Sequence, residues 1–225
     1  MRQALSLFLM LAMLPLAGAR AQTIPVDGLN LHVPVKSLRA TRLGGMIQQQ
    51  YDFSCGSAAL ATLLSNHYGH PITEESVLRA MFAAGDQQKI AREGFSMLDM
   101  KRYLEGQGYA ADGFRQSLDK LAEARLPAIV LVDEGGYHHF VVVKGLAGDR
   151  VLVGDPARGI RTVPRAAFEK SWIGGLLFVI HNHTEEARFN LAADWRAAPR
   201  APLVSGVARD RVPGLDLPKL SPGDY

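Results

Sequence analysis

The chain has 225 residues, 48% of them hydrophobic, with 25 Lys and Arg against 22 Asp and Glu. That apolar content is enough for a core, and a near balance of charge without any Lys/Arg cluster argues against a surface that tracks nucleic acid. A single cysteine, Cys55, excludes an internal disulfide.

In chain order, Arg2 precedes an apolar run over residues 5–17, and Ala19-Arg20-Ala21 has the small-x-small form of a cleavage site. The expectation is a signal peptide over 1–21, cut between Ala21 and Gln22. The run is shorter than the roughly 20 residues a spanning helix needs, and Pro15 interrupts it. Without Arg2 and Arg20 the balance is 23 basic against 22 acidic residues, about +1. The expected location is the periplasm or beyond it, with a mature chain that does not span a membrane.

Residues 22–42 read as an N-terminal arm with alternating hydrophobicity around 29–35. A helix is expected from Ser57 to Tyr68, ended by Gly69 as a C′ glycine. Thr73 is a candidate N-cap, with Glu74 and Glu75 in the first turn, where the helix dipole favours anions. Ser96 and Asp99 have capping-box spacing, and Gly106 and Gly108 end that third helix. The second half changes character. The stretch 127–133 ("PAIVLVD") is a short apolar run bounded by turn signals, as in a buried strand. Strands at 140–143 and 150–153 flank "KGLAGD" as a hairpin loop, 164–170 is a short helix with Pro at its first turn, and 176–181 is a fourth strand. Helices first and strands later indicate α+β, a helical layer on a mainly antiparallel sheet. From residue 184 to 225 the periodicity dissolves, which suggests an extended or partly disordered tail.

A lone cysteine in an exported chain is a buried filler, a dimer link or a working thiol. Asp52 and Ser54 are N-cap types, so Cys55 falls in the first turn of a helix, where N–H groups and the dipole favour a thiolate. Gly56 leaves room for a group to approach the sulfur. His139 begins one strand of the hairpin and Asp155 ends the other. Antiparallel pairing brings these two together at one sheet edge, the relation of base to orienting carboxylate in a nucleophilic triad. One of Gln48, Gln49 and Gln50 is placed to supply an oxyanion donor.

At these residues the sequence resembles the peptidase C39 family, papain-like cysteine proteases known as leader-peptide-cutting domains of bacteriocin exporters. The resemblance rests on Gln49 six residues ahead of Cys55, "CGSAAL" at 55–60, "HFVVV" at 139–143 and "GDPARG" at 154–159, and it covers about residues 48–180. It implies a papain-like fold over 43–183, with Cys55 as nucleophile, His139 as general base and then acid, Asp155 as orienter and Gln49 as oxyanion donor. It also implies cleavage of a protein or peptide after a small pair such as Gly-Gly or Gly-Ala, with no cofactor or metal. The chain departs from the family pattern where Ser54 replaces an acidic residue before the cysteine, and His138 duplicates the histidine. It carries no exporter membrane domain or nucleotide-binding motif, and so is most similar to stand-alone exported members, including that of the Fap functional-amyloid system. That likeness implies fibre subunits or an outer-membrane secretion partner as the protein it acts on.

Two other readings stay open. One is a catalytically silent C39-like docking module, and the other is a thiol acyl-transfer enzyme such as an amidase. Lesser signals read blandly: "HNH" at 181–183 as strand-end residues, His67 and His70 as solvated polar residues rather than metal ligands, "LGGM" at 43–46 as a turn rather than a self-cleavage site, and Trp172 and Trp195 as core or tail anchors.

Overall fold

Helix α2 (Cys55–Thr62) is wholly enclosed, every one of its residues being buried. Small residues at Gly56, Ser57, Ala58, Ala59 and Ala61 let neighbours approach from all sides, which a helix apolar all round requires. In this computed structural model the described residues are 22–26, 29–33 and 38–198. The expected signal peptide, and residues 199–225 of the expected tail, lie outside them.

Two units are present, divided after Ala40. In the first, β1 (Gln22–Val26) and β2 (Leu29–Val33) pair antiparallel, with Ile24 opposite Leu31. A short helix α1 (Leu38–Leu43) carries the chain into the second unit. There α2 runs into a π turn (Leu63–His67), so the expected helix over 57–68 starts two residues earlier and widens at its end. The widening is closed by the amides of Tyr68 and His70, both donating to the Leu64 carbonyl, and Gly69 follows at φ 66°.

Helix α3 (Glu74–Ala84) is capped as expected, the Thr73 hydroxyl accepting from Ser76 N–H at 3.2 Å. Helix α4 (Gln87–Glu93) has no strong periodicity but a clear N-cap in Asp86, which accepts from Lys89 N–H at 3.0 Å. Helix α5 (Met97–Gly106) has the full capping box: Ser96 Oγ accepts from Asp99 N–H, and Asp99 accepts from Ser96 N–H at 2.8 Å.

The sheet has six strands in the order β3-β8-β4-β5-β6-β7, every pairing antiparallel. They are β3 (Ala111–Arg115), β4 (Ala128–Asp133), β5 (His138–Ala147), β6 (Arg150–Asp155), β7 (Gly159–Pro164) and β8 (Leu176–Ile180). β3 and β7 are edge strands that the sequence reading left unassigned. Strand β5 also runs through most of "KGLAGD", so the hairpin turn shrinks to Gly148-Asp149 and a bulge forms between Val143 and Gly145. Asn190 fills the bulge, its amide bonding the Leu146 N–H at 2.8 Å and the Leu146 carbonyl at 3.0 Å.

One face of the sheet packs against α2 and α5 through Leu60, Leu63, Met100, Leu104, Val142 and Phe178, all at most 2% exposed, and α3 packs on those two helices. At about 2 kcal/mol for each fully buried large apolar side chain, this layer is the main source of stability. The other face is covered by α6 (Leu118–Ala124) and α7 (Arg165–Ser171), which bury Leu118, Leu121 and Phe168 on Val130, Val141 and Val151. The expected helical layer is therefore present, and two short helices close the second face.

The segment after residue 183, expected as an extended tail, is packed over 184–198. Its last helix α8 (Ala192–Ala197) buries Asp194, and Phe189 and Ala198 are also buried. Backbone bonds join Arg188 to the His67 carbonyl and Asn190 to that of Lys144. Polar composition hid this segment because its anchors are hydrogen bonds and one ion pair rather than an apolar stripe. Among the described residues no helix is long and apolar enough to cross a membrane.

Candidate active site

Cys55 is the first residue of α2 and is 6% exposed. Ser54 occupies the N-cap position, yet its side chain does not cap the helix. Its hydroxyl instead accepts from Tyr51 N–H and donates to the Tyr51 carbonyl, folding 51–54 into a tight turn. The first-turn N–H groups beside the sulfur are thereby left without a side-chain cap. The single Ser57 O–H is shared between the Ser54 carbonyl at 2.9 Å and the buried Glu74 carboxyl at 3.0 Å, anchoring the helix start from below. Gly56 does not open a path to the sulfur as the sequence suggested. A Cβ there would lie 3.1 Å from Met100 Cε and from Phe95 Cβ, so the glycine sits in close packing against α5 and the preceding loop.

His139 (2% exposed) and Asp155 (fully buried) meet at the sheet edge, with His139 Nε2 2.9 Å from Asp155 Oδ1. Asp155 Oδ1 also accepts from Ala157 and Arg158 N–H, and Oδ2 accepts from Arg161 Nε at 3.1 Å. Burial alone would raise the Asp155 pKa. The imidazole, Arg161 and the Ala157 N–H overcome it and hold the carboxyl at about 2. An ionised acceptor at Nε2 makes that nitrogen the donor, which leaves Nδ1 as the ring nitrogen without a proton in the neutral form. Burial opposes the charge on His139, but Asp155 first and then Cys55 favour it more strongly, raising the imidazole pKa to about 9. Nδ1 is buried and has no well-aligned hydrogen bond among the described residues. His138, by contrast, is exposed and lines the cleft.

Of the three glutamines, Gln48 and Gln50 are exposed and only Gln49 is partly buried. Gln49 N–H donates to the Pro156 carbonyl at 3.1 Å, setting this segment against the turn that follows Asp155. Its side-chain amide donates one N–H to Tyr51 at 3.1 Å, and Oε1 is buried without a partner among the described residues. The second N–H of Nε2 is uncommitted. Gly45, just upstream, has its carbonyl bonded by Asn66 Nδ2 at 2.7 Å and by Lys144 Nζ. "LGGM" is accordingly a pinned turn whose carbonyl is already occupied.

A cleft of about 800 Å³ opens from Cys55. Phe53, Phe95, Met97 and Leu131 give it an apolar floor, and Lys89 and Arg115 stand along it.

Away from the cleft, His67 is fully buried rather than solvated. Its Nδ1 bonds the Arg188 carbonyl, and burial, aided by Lys144, pushes its pKa down to about 3. His181 pairs with Asp112 at 3.0 Å, and Asn182 bonds the Ala110 N–H and Gly108 carbonyl, so "HNH" closes the end of β8. Trp172 donates to the Leu176 carbonyl and packs on Phe168, and Trp195 donates to Asn190. Sequence reasoning missed Arg161 and Tyr137, since neither belongs to a motif and each matters only through what it touches.

A helical layer on an antiparallel sheet, with cysteine at a helix start and a His–Asp pair at the facing sheet edge, defines a cysteine peptidase of papain-like fold. The model of the peptidase C39 family matches residues 45–184, and the chain belongs to that family. It is 43% identical over 157 residues to the Pseudomonas aeruginosa protein named "Probable functional amyloid protease FapD", covering 70% of this chain and 69% of the relative. A protein of the same name from Pseudomonas fluorescens is 40% identical over 179 residues, covering 80% of this chain and 79% of the relative. Among solved structures, a double-glycine-motif protease from an AMS/PCAT transporter in complex with its leader peptide superposes with a TM-score of 0.50 at 26% identity, over 60% of this chain and 89% of that one. The peptidase domain of Streptococcus ComA, a bifunctional ABC transporter of a quorum-sensing pathway, gives 0.51 at 20% identity over 60% and 96%, a likeness of fold.

Proposed function

We propose that this cysteine peptidase is an exported endopeptidase that cuts a secreted protein or a secretion partner after small residues, in support of functional-amyloid fibre export. The observation that carries the reading is the buried His139–Asp155 pair beside Cys55, which itself lines a cleft of about 800 Å³. Relatives named functional amyloid proteases support the biological setting. The signal-like N-terminus supports a periplasmic location.

In this reading Cys55 is the nucleophile. With His139 protonated and Asp155 ionised, the sulfur is available as a thiolate beside an imidazolium. The thiolate attacks the scissile carbonyl, and the C=O electron pair moves onto oxygen. Two donors meet that oxyanion, the Cys55 N–H at the helix start and the uncommitted N–H of Gln49. His139 then passes its Nδ1 proton to the leaving amine as the C–N bond breaks, giving a thioester and a neutral imidazole. Water attacks the thioester, loses a proton to Nδ1, and releases the carboxylate with the starting pair restored. Asp155 stays ionised throughout and keeps the ring in the Nε2–H form.

The test is a digest of the proteins encoded beside this one, wild type against Cys55→Ala, read by intact-mass spectrometry. Fragments ending in a small residue and absent with the variant are the expected result. Equal fragments with both proteins overturn the role of Cys55. Co-purification of a neighbour with both forms and no cleavage favours the docking module.

A further inference from the structure

The turn between β4 and β5, Glu134-Gly135-Gly136-Tyr137, holds none of the four residues given roles above, yet it reaches all three segments that carry the triad. Gly135 and Gly136 have φ of 70° and 90°, the left-handed region that reverses the chain within two residues. The turn is pinned by Gly136 N–H to Asp133 Oδ1 at 2.6 Å and by Glu134 N–H to the Tyr137 carbonyl at 2.9 Å. On one side, Glu134 accepts from Arg161 at 2.7 Å and from Arg158 at 3.0 Å, and Arg161 also binds Asp155. On the other, the Tyr137 ring stacks on the His139 ring, centroids 5.9 Å apart and planes 29° from parallel. The Tyr137 hydroxyl donates to the Asp52 carbonyl at 2.9 Å, three residues ahead of Cys55.

We propose that Tyr137 is a positioning residue for the peptidase reaction, its ring setting the tilt of His139 and its hydroxyl tying the Cys55 loop to the strand that carries the base. The proposal rests on the roles of Cys55 and His139 given above. Among the described residues His139 has a single well-aligned hydrogen bond, at Nε2, so the tilt of the ring about that bond is set by what packs against it. Rocking moves Nδ1 relative to the sulfur, and in the described structure the stacked ring of Tyr137 stands against that motion. The hydroxyl then removes the remaining freedom, the distance between the two walls of the cleft. Tyr137 is 50% exposed, so it has little part in the core. Partial burial first, and then the nearby Cys55 and Asp52, push its phenol pKa up, so it remains a donor wherever the enzyme works. The groups facing His139 are Asp155 from β6, Cys55 from α2 and Tyr137 from its own strand entry, with Arg161 of β7 acting through Asp155.

The experiment compares the full chain with Tyr137→Phe, which keeps the ring and the access to sulfur, and with Tyr137→Ala. The probes are iodoacetamide alkylation of Cys55 across pH and NMR titration of His139, neither of which needs the natural substrate. In Tyr137→Phe, alkylation at pH 7 is expected to slow about fivefold, the worth of one hydrogen bond in alignment, and the His139 midpoint to fall by about half a pH unit as it loses its hold on the sulfur. Tyr137→Ala is expected to move the midpoint further, with the denaturation midpoint of both variants close to wild type. Unchanged alkylation and titration in a folded Tyr137→Phe overturn the proposal, leaving Tyr137 as cleft lining only. Failure of Tyr137→Ala to fold also overturns it, because the residue would then be structural. A wild-type thiol as sluggish as free cysteine, with His139 titrating near its ordinary value, removes the triad itself and the proposal with it; that result is distinct from a normal wild type with unaffected variants.

Discussion

Lys144 and Asp194 form an ion pair across 3.1 Å between the middle of β5 and the last described helix, with Lys144 fully buried and Asp194 6% exposed. The same ammonium bonds the Gly45 carbonyl, four residues ahead of Gln49. The segment after residue 183 is thereby tied to the strand of the base and to the approach to the oxyanion donor. Removing one partner of a buried pair strands the other charge. Asp194→Ala is expected to lower stability by about 3–5 kcal/mol, while the double variant Lys144→Met with Asp194→Leu recovers most of it. Urea denaturation of the three proteins decides; a loss below about 1 kcal/mol in the single variant would show that the pair is solvated in solution.

The pH dependence follows from the His139–Asp155 pair. His139 is raised to about 9, so its charged form is favoured by the fold. Its contribution to stability is complete below the unfolded value near 6.5 and is lost as pH rises through about 9. Asp155 is lowered to about 2, so its contribution is complete above its usual value and is lost only as pH falls through about 2. Activity that needs the imidazolium should therefore decline on the alkaline side with a midpoint near 9. Asp155→Asn should bring that midpoint down toward 6.5 and cut kcat by on the order of 10²-fold. A rate profile measured against peptide substrate checks both, and an alkaline limb near 7 in the wild type would contradict the pairing.

Gln49→Ala should lower kcat by about 10²–10³ with little change in denaturation midpoint, the usual effect of deleting one oxyanion donor. Among the described residues Gln49 makes one side-chain bond, to Tyr51, so folding is expected to depend little on it. Full turnover in the variant would remove it from the mechanism.

Gly56→Ala tests the packing reading. Its Cβ would press on Met100 and Phe95 at 3.1 Å, both in the core. Overpacking there should cost about 1–3 kcal/mol, offset in part by the better helix propensity of alanine. A variant more stable than wild type would mean that α2 has space the described packing does not provide.

Much of this architecture is local and therefore legible in the chain. Thr73 and the Ser96–Asp99 box announce their helices because a cap is satisfied by neighbours three residues away. The apolar run at 127–133 announces a buried strand because both its faces are covered. Asp155 and His139 were readable as partners because antiparallel pairing turns a sequence separation into proximity. The π turn, the bulge at Val143–Gly145 and the edge strands β3 and β7 were not readable. Each depends on what packs beside it, and the residues of β3 ("ADGFR") have no strand signal of their own.

What the sequence determined by itself was the family of chemistry: a lone thiol at a helix start, a histidine and an aspartate brought to one sheet edge, and a glutamine upstream. What only the tertiary structure decided was where the copies of ambiguous residues lie and what holds them. It buried His139 and exposed His138, partly buried Gln49 while exposing its two neighbours, filled the space above Gly56, and folded residues 184–198 back onto the domain. Those outcomes depend on contacts between residues tens of positions apart, where burial and charge compensation are settled by three-dimensional neighbours rather than by local sequence.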